Sequence, residues 1–118
     1  MLCNLETKQY AIFVYRDVVD FRKQMNGLIE EVIDGMNLNP QDGSMYVFRN
    51  RNKDKIKVLV WDRNGFWLLY KRLEKGRFDF PMKDKGAISI TMEQYKMLVS
   101  GMPIIQWGEP TKSVTKFS

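Results

Sequence analysis

Apolar positions change period twice along this chain of 118 residues, and each change marks an element. Gln9 to Tyr15 is a short aromatic and β-branched run, which predicts a strand. Asp20 stands as an N-cap before Phe21, Met25, Leu28, Ile29, Val32, Ile33 and Met36, whose spacings of three and four predict an amphipathic helix. Gly35 or the Asn37–Pro40 stretch ends it. Gly27 lies inside that stripe at a cost of roughly 1 kcal/mol relative to Ala, so either a neighbour approaches closely there or the helix is locally weak.

Three strand-like runs follow, Ser44–Arg49, Lys55–Asp62 and Phe66–Leu73, joined by the polar stretch 50–54 and by Arg63-Asn64-Gly65, a tight-turn signal. They predict an antiparallel meander. In the second run Ile56, Val58 and Val60 share one face, and Lys55, Lys57, Leu59 and Trp61 the other. The third is apolar on both faces, which predicts a central strand covered on both sides. Ala87–Ile90 forms a last short strand, and Thr91 with Gln94 three residues on forms a capping box. The helix it opens carries Met92, Tyr95, Leu98, Val99 and Met102 and closes near Gly101 and Pro103. The fold class expected is α+β: an antiparallel sheet packed with two amphipathic helices, in one domain over 1–108 with a loose tail over 109–118.

Charge changes the picture. The net charge is +5, yet the stretch from Arg49 to Arg77 holds ten cations against three carboxylates, more than the whole excess. One face of the domain is therefore expected to be electropositive. The hairpin built by Arg49, Arg51, Lys53, Lys55 and Lys57 has the form of a ribbon that can enter a DNA major groove and contact phosphates. Lys71, Arg72, Lys75 and Arg77 extend it, because the third strand of the meander returns beside the start of the second. The competing reading is a solvated hairpin tip that keeps a sheet edge soluble.

Candidate catalytic chemistry is thin. No histidine is present, which removes imidazole bases and imidazole metal ligands, and the single Cys3 can form neither an internal disulfide nor a zinc cluster. Asp54, Asp62, Glu74 and Asp79 could gather as a nuclease-like metal site, but each stands beside a cation in a turn that favours it for local reasons. Trp61, Phe66, Trp67 and Tyr70 could stack on bases, although aromatic residues in strands are more often core. Neither a signal sequence nor an apolar stretch long enough to cross a membrane is expected, so the chain reads as cytoplasmic, with no cofactor.

Val47-Phe48-Arg49-Asn50-Arg51, Trp61-Asp62-x-x-Gly65-Phe66 and the block from Tyr70 to Phe78 together resemble the TnpB-type accessory protein of one class of bacterial insertion sequences, the sixty-six class. This is the element's second open reading frame, unrelated to the RNA-guided nuclease of the same name. Asp20-Phe21-Arg22-Lys23, Asn26-Gly27-Leu28 and Ile90-Thr91-x-x-Gln94 are similar to further family blocks, and the likeness spans about residues 10 to 102. Gln24 and Arg63-Asn64 depart from it, where a small residue and an acidic residue or glycine are usual. The resemblance implies a role in DNA transposition beside a separately encoded transposase, a candidate partner, with no catalytic activity established for this component; DNA as a partner is expected from the placement of charge. The resemblance leaves open whether the basic ribbon meets DNA or an acidic surface of a protein.

Overall fold

A computed structural model describes residues 10–104. Cys3, Gln9 and the tail 109–118 lie outside them. The order is β1 (Ile12–Val18), α1 (Met25–Glu30) running into a π-helical turn (Glu31–Gly35), β2 (Met45–Arg49), β3 (Lys55–Asp62), β4 (Gly65–Arg72), β5 (Ala87–Ile90) and α2 (Met92–Val99). The five strands form one sheet in the order β4-β3-β2-β1-β5. The architecture is α+β, and β2-β3-β4 is the antiparallel meander. One pairing differs from an all-antiparallel sheet: β1 and β2 run parallel. The cause lies between them, because a helix connecting neighbouring strands crosses the sheet and returns the chain in its starting direction.

Side-chain alternation builds two apolar layers. Ile12, Val14, Met45, Val47, Ile56 and Val58 face α2, whose Tyr95 and Leu98 are buried on them together with Phe78 and Phe80. Tyr15, Tyr46, Phe48 and Leu59 face α1 and the π-helical turn after it, whose Leu28 and Val32 are buried on them. At roughly 1.5–3 kcal/mol for each fully buried large apolar side chain, these layers supply the main drive to fold. All five residues of β2 are buried, and none of β4 is. The expectation that the third meander strand is central is thus corrected: β2 is central, and β4 is an edge whose Trp67 and Tyr70 are 43% and 54% exposed. Alternation cannot distinguish a strand covered on both faces from an edge that displays its aromatics.

The Asp20 cap is also corrected. Its carboxylate accepts from the Arg22 backbone N–H at 2.9 Å within a turn, and α1 starts only at Met25, after an extended Gln24 that makes no side-chain cap. Phe21 is thereby left off the helix. Gly27 is a close-approach position, since a Cβ there would stand 3.0 Å from the Lys23 Cβ. The capping box of Thr91 and Gln94 is present, and Gly101 ends the second helix at a φ of 78°. Among the described residues no helix is long and apolar enough to cross a membrane.

Candidate nucleic-acid interface

At one end of the sheet the chain doubles back on itself. Asn50 closes the loop between β2 and β3 on both sides: its side-chain oxygen accepts from the Lys55 N–H at 3.1 Å, and its amide donates to Asp54 at 2.6 Å. Lys53 adopts a φ of 61°, which turns the loop over. The stretch after β4 then returns alongside, as the Leu73 N–H reaches the Asp54 carbonyl at 2.8 Å and the Phe78 N–H the Lys53 carbonyl at 2.6 Å. Those two bonds bring Lys75 and Arg77 to the loop that carries Arg51 and Lys53. Lys55 stands opposite Arg72 in the β3–β4 ladder, so both project from the same face at this end.

The nine predicted cations divide into four groups. Arg51, Lys75 and Arg77 are exposed and Lys53 is half-buried, and among the described residues no carboxylate lies within ion-pair distance of any of them. Lys55 and Arg72 belong to the same surface but have local partners, Asp54 at 3.9 Å and Glu74 at 2.9 Å. Such exposed pairs are weak and exchange readily for an anion. Lys71 points to the opposite face, beside Ile56 in the ladder, where its ammonium donates to the Val99 carbonyl at the C-terminal end of α2 at 2.7 Å.

Arg49 and Lys57 are spent inside the fold, which corrects their place in the phosphate-contacting ribbon. Arg49 is 5% exposed. Between the partners Val14–Val47 and Val18–Arg49 the β1–β2 register breaks, and the Arg49 guanidinium fills the break, donating to the Arg16 carbonyl at 2.9 and 2.7 Å. Its desolvation lowers its pKa. Lys57 donates to the carbonyls of Phe21 and Lys23 at 3.0 and 2.8 Å, with its ammonium 4.9 Å from the Phe21 ring centre. Burial lowers its pKa too. The position of Arg49 at the end of the apolar run Met45–Phe48 is a sequence signal of this burial.

Two features escape sequence reasoning. Arg16 grips the loop before β5, donating to the carbonyls of Lys83, Lys85 and Gly86. A groove of about 910 Å³ opens beside the basic end, between the Asp20–Gln24 turn and β4, with Phe21, Leu68 and Tyr70 among its walls. Both depend on chain segments meeting that are far apart in sequence.

The carboxylates proposed as a metal cluster do not assemble. Asp54 immediately precedes β3 and Asp62 ends it, which sets them about 25 Å apart at strand rise. Asp62 accepts from the Trp67 indole at 3.0 Å, Glu74 holds Arg72, and Asp79 accepts from the Ile104 N–H at 2.6 Å.

The domain is thus a small sheet with a helix on each face and cations gathered at one end. Residues 10–109 match the family described as IS66 Orf2-like protein, and the chain belongs to that family. It is 37% identical over 91 residues to the uncharacterized protein y4jC of Sinorhizobium fredii, covering 77% of this chain and 78% of that one. It is 38% identical over 94 residues to the uncharacterized protein y4hO of the same organism, covering 80% and 79%. No solved structure matches. Family membership supports an accessory role in the transposition of an insertion sequence.

Proposed function

We propose that this chain is a non-catalytic accessory protein of insertion-sequence transposition that binds DNA phosphates through the basic end of its sheet. The observation that carries the reading is the pair of backbone bonds from Leu73 and Phe78 to the loop between β2 and β3, which gathers Arg51, Lys53, Lys75 and Arg77 with no carboxylate within ion-pair distance among the described residues. Unneutralised cations at one end of a rigid sheet attract a polyanion, and Lys55 and Arg72 join when phosphate displaces their exposed partners. The test is binding of the purified protein to labelled duplex DNA across a salt series, comparing an element-end sequence with a scrambled one. If four phosphates are neutralised, log K falls against log salt with a slope near −3.6. A slope near zero overturns the electrostatic account.

A second reading rests on a different observation, the edge strand β4, which displays Trp67 and Tyr70 beside unpaired backbone groups. On that reading the chain is an adaptor for the transposase and makes no direct contact with DNA. Co-purification with the transposase that survives nuclease treatment supports it, and loss of the complex on removing DNA favours the first reading.

A further inference from the structure

We infer that the groove beside the basic end takes an unpaired nucleotide, so that single-stranded DNA is the preferred ligand of this surface; the inference rests on the DNA-binding reading and narrows it. The walls are apolar and aromatic where a base would lie. Tyr70 is 54% exposed, and Leu68 stands beside it on the same face of β4. Phe21 closes the opposite side, its ring centre 6.4 Å from that of Tyr70 and tilted by 57°. The Lys57 ammonium stands 4.9 Å from the Phe21 ring centre and 5.8 Å from that of Tyr70, so no base fits between the two rings; the solvent-exposed part of Tyr70 is the stacking surface.

The rim is cationic where phosphates would lie. A second depression continues the groove past Asn50 to Arg51 and Asn52, and the two share Asp20, Phe21 and Arg22. Together they present Arg22, Arg51 and Lys55, of which Arg22 pairs the Asp20 carboxylate at 2.6 Å and Lys55 stands 3.9 Å from Asp54. Lys57 is the positioning residue: bonded to the carbonyls of Phe21 and Lys23, it holds the Asp20–Lys23 turn over the sheet and sets the Phe21 wall. A paired duplex hides its base faces in the stack. Only a base outside a stack offers a π-face to Tyr70 while its flanking phosphates reach the rim.

The experiment compares a labelled thymidine homopolymer with a duplex of equal length, by fluorescence anisotropy at one salt concentration, using the full chain and the variants Tyr70→Val and Tyr70→Phe. Valine keeps a strand-favouring side chain at an exposed edge position and removes the ring. The expected result is tighter binding of the single strand, an affinity for it that falls by about five- to 150-fold in Tyr70→Val, and recovery in Tyr70→Phe. Duplex affinity changes by less than about two-fold, because phosphate contacts are untouched. Should Tyr70→Val lose its circular-dichroism melting transition, Arg22→Gln takes its place and is expected to weaken the single strand more than the duplex. Equal loss on both ligands, or no loss on the single strand while duplex binding persists, overturns the groove and leaves the basic end standing. Absence of binding to either ligand overturns both.

Discussion

Arg49 and Arg51 stand two residues apart with identical side chains and do opposite work. The first ends the central strand, buried, with its guanidinium bonded to the Arg16 carbonyl where the β1–β2 register breaks. The second stands exposed in the adjoining loop, with no carboxylate partner among the described residues. A count of cations treats them alike. What separates them is the strand order: β2 is covered on both faces and flanked on both sides, so a cation at its end must find its acceptors inside the protein. The loop beyond it has no such constraint, and its charge is left for a partner.

The sharpest way to break this comparison is to truncate each residue in turn. Arg49→Ala leaves the Arg16 carbonyl without its charged donor and is expected to lower stability by about 2–3 kcal/mol. Arg51→Ala is expected to change it by no more than about 0.5 kcal/mol. Urea denaturation followed by circular dichroism decides, and equal losses would mean that Arg49 is not the structural cation described here. Arg49→Lys recovers little, because an ammonium lacks the fork that reaches the one carbonyl from two nitrogens.

The layer beneath Arg49 gives a second test. Its guanidinium lies 5.9 Å from the ring centre of Phe80, which shares an apolar layer with Tyr95. Burial pushes the Tyr95 phenol up to about 12. A folded-state pKa above the unfolded value of about 10 makes a contribution that is complete below pH 10 and lost as the pH rises through 12, amounting to about 3 kcal/mol. Melting temperature measured from pH 8 to pH 12 should therefore fall steeply above pH 10, and less steeply in Tyr95→Phe. An identical fall in the two proteins would show that this layer admits water.

Lys57 tests the intermediate case, a cation half inside. Lys57→Met keeps the length of the side chain and removes the donor to the Phe21 and Lys23 carbonyls, at an expected cost of about 1 kcal/mol. The diagnostic readout is hydrogen exchange: the amides of Phe21 to Gln24 should lose protection while those of β2 keep theirs. Uniform change across the sheet would assign Lys57 to general stability and not to the turn.

Much of this arrangement was legible in the residues, and the exceptions share a cause. The alternation of β3, the capping box at Thr91 and the turn near Asn64 are local signals and stand where the pattern put them. The Asp20 cap failed because a carboxylate that caps a helix also closes a turn, and the competing hydrogen bond to the Arg22 N–H is equally local. The edge position of β4 and the parallel β1–β2 pair depend on which strand lies beside which, whereas the burial of Arg49 had a signal in the apolar run that it ends. Apolar alternation is silent on that order. The convergence of the two basic segments was legible, since the returning strand of an antiparallel pair must end beside the start of its neighbour; the groove formed with Phe21 and Arg22 was not, because it joins segments about 30 to 50 residues apart through the Lys57 bonds.

The smallest expected effect on the fold carries the most weight for function. Arg51 and Lys53 lie in a loop held by Asn50 and by backbone bonds from Leu73 and Phe78, none of which uses either cationic head. Replacing both with Ala should therefore leave stability within about 0.5 kcal/mol of the parent. If those heads meet phosphates, the same variant loses about two units of salt slope, at −0.9 for each phosphate released, and weakens binding to every sequence by a similar factor. A variant that keeps the parental slope would place the phosphate contacts elsewhere, and one that loses slope together with stability would reduce Arg51 and Lys53 to the condition of Arg49. The comparison survives only if charge and fold separate at these two positions, as they cannot at a residue whose guanidinium completes the sheet.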